Sequence, residues 1–318
     1  MSTTHRIEAG RQNVHGYFSR ELTPVATIDS GDTVDLRTLD AGWHPDPDAA
    51  TGRWHHDEHV DWYNSDTDVG HALNGPIEIR GAKPGMTLEV SIDRVIPGAW
   101  GWSLGGGWES ELNSALGIAE APPAGDWWTL DNATSIATNR DGVRIAMRPF
   151  CGVMGMPPPE AGHHATAPPR IWGGNIDCKE LVAGTKLYLP IAVPGALFSA
   201  GDGHAAQGDG EVSGVAIECP LESAQLTLTL IEDMVLNEPR AWTPDAWLTF
   251  GFDADLDRAA TMAVDAMLDL INEQTGLDRK RSMSLASLVV DLRVTQVVNG
   301  VKGVHAVLPH DSGLAPGG

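Results

Sequence analysis

The chain carries 36 glycines and 21 prolines, and through its N-terminal three quarters they interrupt it too often for long helices. What lies between the interruptions alternates. Leu88, Val90 and Ile92 fall on one face of the run from Thr87 to Ile92, with Thr87, Glu89 and Ser91 on the other. Leu226, Leu228 and Leu230 repeat this two-residue period of a strand with one buried face. Asp141-Gly142 between apolar runs predicts a hairpin turn. Pro122-Pro123 and Pro157-Pro158-Pro159 mark connections that cannot donate to a sheet. The segment from Gly101 to Asp126, with Gly105-Gly106-Gly107, reads as a long surface loop or an insertion. Helical spacing enters only near the C-terminus. There Ala260, Val264, Met267 and Ile271 predict a helix that starts at Leu256 and that Gly276 stops, followed by a second from about Arg279 to Leu288. Strands are expected over Val294 to Val298 and Val304 to Leu308, which makes the fold class mainly β with an α+β C-terminal part.

With 43 acidic residues against 21 lysines and arginines, the formal net charge is -22. That balance repels nucleic acid and anionic membrane. No apolar run approaches the roughly 18 residues of a membrane span. The start MSTTHRIEAGRQNVHGYF lacks the basic-then-apolar order of a secretion signal, so a cytoplasmic location is expected. Cys151, Cys178 and Cys219 are odd in number and show no CxxC spacing. This disfavours a disulfide framework and a thiolate zinc site, and predicts buried thiols.

Chemistry-bearing residues concentrate between Ile171 and Pro220. Asp202 and His204 sit two apart in Gly201-Asp202-Gly203-His204, and Asp209 and Glu211 repeat the pattern in Gly208-Asp209-Gly210-Glu211. Residues two apart on an extended segment project to one face. The flanking glycines permit unusual backbone angles and close approach of a ligand. On spacing alone, this is either an oxygen-rich, histidine-containing site for a metal or polar substrate, or a string of acidic turns between strands.

The same segment resembles the acetamidase/formamidase family. The residues that carry the likeness are Gly173-Gly174-Asn175-Ile176-Asp177, Leu181-Val182-Ala183-Gly184-Thr185, Pro194-Gly195-Ala196-Leu197-Phe198 and the whole run from Gly201 to Glu211. It continues outward through Gly31-Asp32-Thr33-Val34 with Asp40-Ala41, Gly75-Pro76-Ile77 with Pro84-Gly85, Pro149-Phe150 and Gly152-Val153-Met154-Gly155 to Ser287–Val298 and Gly303-Val304-His305-Ala306, and so covers nearly the entire chain. The resemblance implies a β-sandwich-like unit over residues 1–150, a small β-barrel unit over 151–250 with both motifs, and an α+β unit over 251–318, with the chain crossing between units. The activity it implies is hydrolysis of small carboxamides such as formamide or acetamide to a carboxylate and ammonia. It also allows a cyclic amide such as a γ-lactam. A non-catalytic metal- or ligand-binding protein is the reading from another class.

Amide hydrolysis needs an activated nucleophile, a polarised carbonyl and an acid for the departing amine, and a bound metal supplies the first two. Asp202 and His204, with Asp40, are the expected ligands of a divalent metal, a cysteine-free set that suits zinc, with calcium as the alternative. Glu218 is expected as proton shuttle or further ligand, and Asp177 as a catalytic partner. Asn175, His15 and His163 are expected to contact the substrate; His15 lies where the family has a histidine. A cysteine nucleophile in Cys178-Lys179-Glu180 is disfavoured, because neighbours on a strand point to opposite faces. The stretch Trp54-His55-His56-Asp57-Glu58-His59 reads as a polar surface loop, with metal binding or substrate gating as its minority reading. Of the 11 tryptophans, one or two are expected to form an apolar wall that selects a small amide. A homo-oligomer is expected, a dimer above others.

Overall fold

The alternating run from Thr87 to Ile92 lies inside a longer strand, Thr87–Pro97, and Leu88, Val90 and Ile92 are all buried. In this computed structural model, which describes residues 2–47 and 57–314, that strand sits within a nine-stranded sheet. It pairs antiparallel with Leu221–Ile231 on one side and Thr185–Pro190 on the other. Asp32–Leu36 and Thr4–Ile7 extend the first side. Arg240–Trp242, Ala246–Asp253, Lys302–Pro309 and Asp291–Gln296 extend the second.

Helix Leu256–Thr275 begins on an Asp255 cap and ends at Gly276 in the left-handed region, as the sequence predicts, and helix Arg279–Val289 follows. The first helix buries Ala259, Ala263, Met267 and Ile271 against strands Ala246–Asp253 and Lys302–Pro309. The α+β part is therefore a continuation of the nine-stranded sheet with its own small core.

An eleven-stranded sheet holds the remaining strands. Its order is Arg144–Ala146, Ile136–Asn139, Ala124–Asp131, Trp100–Gly105, Glu218–Cys219, Phe198–His204, Phe150–Gly155 and Gly173–Asn175. Leu73–Ile79 also pairs with Phe198–His204 and carries Val14–His15 and Ala26–Ile28. The predicted Asp141-Gly142 turn joins Ile136–Asn139 to Arg144–Ala146. One core spans both sheets: Leu88, Val90, Leu187 and Leu226 from the first belong to the same cluster as Ile77, Met154 and Phe198 from the second. This burial is the main force holding the two together.

Two expectations are corrected. Gly101 to Asp126 is not a long loop: Trp100–Gly105 and Ala124–Asp131 pair along their length, with a short helix, Glu111–Leu116, between them. The small residues there serve close strand packing, since a Cβ on Gly101 would come within 2.7 Å of the Glu218 carbonyl oxygen. Nor does a barrel close among the described residues. The strands of 151–250 are divided between the two sheets, so they have no edge to close on one another. Among the described residues, no helix is long and apolar enough to cross a membrane. All three cysteines are free and buried.

Candidate active site

The site is built on an interior strand, Phe198–His204. It pairs with Phe150–Gly155 on one edge and, on the other, with Leu73–Ile79 followed by Glu218–Cys219. The register sets His204 opposite Glu218. Asp202 and His204, two apart, are both buried and line one cavity. At Gly201 and Gly203 a Cβ would lie 2.4 Å from the Ala72 carbonyl oxygen and 2.5 Å from that of Cys219. Neither glycine has a left-handed backbone. That conformation belongs to the acids instead: φ is 57° at Asp202, 53° at Asp177 and 44° at Glu211. The expectation that the glycines supply the special angles holds at Gly210, where φ is 92°, and is corrected at Gly201 and Gly203. Here glycine makes room, and the acids carry backbone strain of the kind that persists where the surroundings enforce it.

His204 Nε2 is 3.3 Å from Asp202 Oδ1 and 3.3 Å from Glu218 Oε2. Its Nδ1 is 2.8 Å from Gln207 Oε1, while Gln207 Nε2 donates to the Asp177 carbonyl oxygen at 2.7 Å. With the amide nitrogen committed as donor, its oxygen accepts, so Nδ1 carries a proton and Nε2 is the nitrogen turned to the two acids. Glu218 Oε1 accepts from the Ala216 N–H at 2.8 Å, and Asn299 donates to Asp177 Oδ2 at 2.6 Å. This leaves Glu218 Oε2, Asp177 Oδ1, Glu211 Oε2 and Asn175 Oδ1 buried without a hydrogen bond. Such atoms are costly unless something else satisfies them. Ligand atoms of Asp202, His204 and Glu218 all lie within 4.8 Å of one another, as do those of Asp177, His204 and Glu211. Gly152 keeps the space between them open. A Cβ there would stand 2.4 Å from Asp202 Oδ2, 2.7 Å from Asp177 Oδ1 and 2.8 Å from His204 Cε1.

Burial raises the Asp177 carboxyl to about 7, against the pull of His204. Glu211 is held well above the usual carboxylate range by burial and by the Asp177 charge beside it, and burial raises Glu218 too. Asp202 goes the other way: burial opposes its charge, but the His204 ring keeps it below its ordinary value. His204, despite burial, is held well above its ordinary value by Glu218 and Asp202. Burial pushes the Cys151 thiol up to about 12 and the Cys178 and Cys219 thiols well above theirs. None of the three has the acidity of a nucleophilic cysteine.

Asp202, His204, Glu211, Glu218, Asn175 and Asn299 line a cavity of about 420 Å³, and Trp43, Trp102, His59 and Tyr63 form its aromatic wall. Asp177 stands beside Glu211 but does not line the cavity. Asp40 lies outside both acid–histidine groups; its carboxylate accepts from Trp102 Nε1 at 2.7 Å and is 2.6 Å from His44 Nδ1, and so orients the wall. His15 is also away from the cavity. Its Nδ1 donates to the Tyr17 carbonyl oxygen at 2.7 Å and its Nε2 accepts from Ser199 Oγ at 2.9 Å, and burial lowers its pKa to about 4. His163 is exposed and stacks on Tyr17, with ring centroids 3.8 Å apart. Within the histidine-rich stretch, His59 reaches the cavity wall, whereas His55 and His56 lie outside the described residues. Sequence reasoning singled out Glu211 through the repeated glycine–acid pattern but gave it no role. It missed Gln207, Asn299 and Gly152, for which no local signal exists.

Comparison with known proteins agrees with this architecture. A Schizosaccharomyces pombe protein that carries a provisional formamidase name is 29% identical over 309 residues, covering 76% of this chain and 73% of its own. An acetamidase of Mycolicibacterium smegmatis is 29% identical over 245 residues, covering 54% of this chain and 60% of its own. The crystal structure of an acetamidase from Bacillus halodurans superposes with a TM-score of 0.82 at 26% identity, over 96% of this chain and 97% of that one. The model of the Acetamidase/Formamidase family matches residues 1–161 and 159–311. With the match running through both sheets and every residue of the acid–histidine cluster, the chain belongs to the Acetamidase/Formamidase family.

Proposed function

We propose that the chain hydrolyses small linear carboxamides of the formamide and acetamide class to a carboxylate and ammonia, assisted by a divalent cation, zinc before calcium. The observation that carries this reading is the convergence of Asp202, His204 Nε2 and Glu218 at the cavity, with buried oxygens beside them that no donor satisfies. These three residues would hold the cation. When bound, it would lower the pKa of a water molecule and polarise the amide carbonyl. The unpartnered Asn175 Oδ1 suits the N–H₂ group of a primary amide, which has two protons to donate. Glu211 is the carboxyl best suited to carry the proton, taking it from the attacking water and returning it to the leaving nitrogen. It lines the cavity, and its burial, with Asp177 beside it, keeps its proton affinity high. The relatives' names support the substrate class, and the aromatic wall favours a short acyl group.

The test is a panel of formamide, acetamide, propionamide and a γ-lactam, with ammonia release and ring opening measured beside the metal content of the purified protein. Turnover of the short linear amides, lost on chelation and restored by zinc, is the expected result. Full turnover in demonstrably metal-free protein would remove the cation from the reading. Lactam opening without any ammonia release would replace the substrate.

A further inference from the structure

Immediately after Asp177, Cys178 and Glu180 meet His305, which comes from strand Lys302–Pro309 of the other sheet. We propose that Cys178, Glu180 and His305 form a second cation site, distinct from the catalytic one, which takes a zinc-class ion and ties the Asp177 segment to the nine-stranded sheet. Cys178 Sγ is 3.3 Å from Glu180 Oε2, His305 Nε2 is 3.6 Å from the same oxygen, and the three ligand atoms all lie within 4.8 Å of one another. Tetrahedral zinc, with sulfur near 2.3 Å and nitrogen or oxygen near 2.0 Å, sets its ligand atoms about 3.3–3.6 Å apart. The two measured separations match that spacing.

His305 supplies the independent sign of a ligand. It is fully buried, and its Nε2 has no hydrogen-bond partner although it is aimed at the thiol and the carboxylate. Its other nitrogen is 2.8 Å from Thr295 Oγ1, the kind of contact that fixes a ligating ring. Glu180 is braced in the same way, since its Oε1 accepts from Arg293 at 2.9 Å. Lys179, between the two donors, pairs with Asp209 at 2.8 Å and leaves the cluster free for an ion. On binding, the Cys178 S–H bond breaks, its proton goes to solvent and a sulfur–metal bond forms, with no change of oxidation state. A sulfur and an imidazole ligand select zinc over calcium or magnesium. The donors come from the loop after Gly173–Asn175 and from a strand of the nine-stranded sheet, and share no CxxC spacing, which is why the cysteine pattern points away from such a site.

Cobalt(II), added alone to metal-stripped full-length protein, is the probe, because a thiolate ligand gives an intense near-ultraviolet sulfur-to-cobalt absorption that oxygen and nitrogen ligands do not. The band should saturate within two equivalents in the wild-type protein, one for each site, and at one equivalent in His204→Ala, and it should survive Cys151→Ala and Cys219→Ala. It should vanish in Cys178→Ser and need at least tenfold more cobalt in His305→Gln. Absence of the band in the wild-type protein, or its survival in Cys178→Ser, overturns the proposal. A measurement that does not depend on the Cys178 variant folding is X-ray absorption at the zinc edge of zinc-loaded His204→Ala protein. One sulfur neighbour near 2.3 Å is expected, and a shell of nitrogen and oxygen alone overturns the site. Neither readout depends on amidase activity.

Discussion

His204 and Glu218 face each other across adjacent antiparallel strands, with His204 Nε2 3.3 Å from Glu218 Oε2. The pairing is made by strand register, so the relative position of ring and carboxylate is fixed by backbone hydrogen bonds. Glu218→Gln should therefore leave the fold intact while weakening cation retention. We expect turnover and metal content to fall together. Glu211→Gln is the contrast: turnover is expected to drop roughly a hundredfold with metal content near normal, the pattern of a lost proton carrier. Metal analysis and initial rates on the two variants decide the assignment.

Gly152→Ala tests whether the open space among the acids matters. Gly152 has no left-handed φ, so alanine is tolerated by the backbone, yet its Cβ would stand 2.4 Å from Asp202 Oδ2. The expected cost in folding stability is about 1–3 kcal/mol, while turnover should fall by roughly a hundredfold or more, in line with the sensitivity of catalysis to ångström-scale misplacement. A thermal melt beside the rate assay separates the two effects, and an active Gly152→Ala enzyme contradicts the site.

Gln207 touches no cavity-lining carboxylate but holds His204 Nδ1 and the Asp177 carbonyl oxygen at once. Gln207→Leu should lower metal affinity or turnover about 10–100-fold, the usual effect of losing such a supporting contact. Competition with a zinc chelator reads the affinity directly.

His15 predicts a specific acid sensitivity. Burial lowers its folded-state pKa from the ordinary 6.5 to about 4, so the unfolded chain binds the proton more readily. The stability it contributes is present above pH 6.5 and is lost as pH falls through 4. The loss attributable to this ring is roughly 3 kcal/mol. Urea unfolding of His15→Gln across that window should show a correspondingly flatter decline than the wild-type protein.

The period of two at Leu88, Val90 and Ile92 and the period of helix Leu256–Thr275 were legible because each depends only on neighbours in sequence and on one buried face. Asp202 and His204 were legible as a pair for the same reason. Glu218 was named as a candidate, but its contact with His204 depends on a strand register that no local pattern encodes. Asn299 reaches Asp177 from 122 residues away. Asp40 has a suitable ligand type, and only the structure shows its oxygens engaged with Trp102 and His44. The strands flanking the Gly105-Gly106-Gly107 segment were hidden because glycine, usually a mark of turns, also sits inside a strand at Gly101, where it lets Glu218–Cys219 lie close.

The acids of the cavity and part of its aromatic wall have different origins, although Trp102 stands on the strand that pairs with Glu218. Asp202, His204 and Glu218 stand on paired strands inside a sheet, whereas His59, Tyr63, Asp68 and Val69 belong to a stretch, 57–71, without helix or strand. Reactivity and this loop-borne share of substrate fit are thus written in separable parts of the chain. A lineage can exchange the surface stretch and acquire a new acyl preference while inheriting its hydrolytic apparatus unchanged.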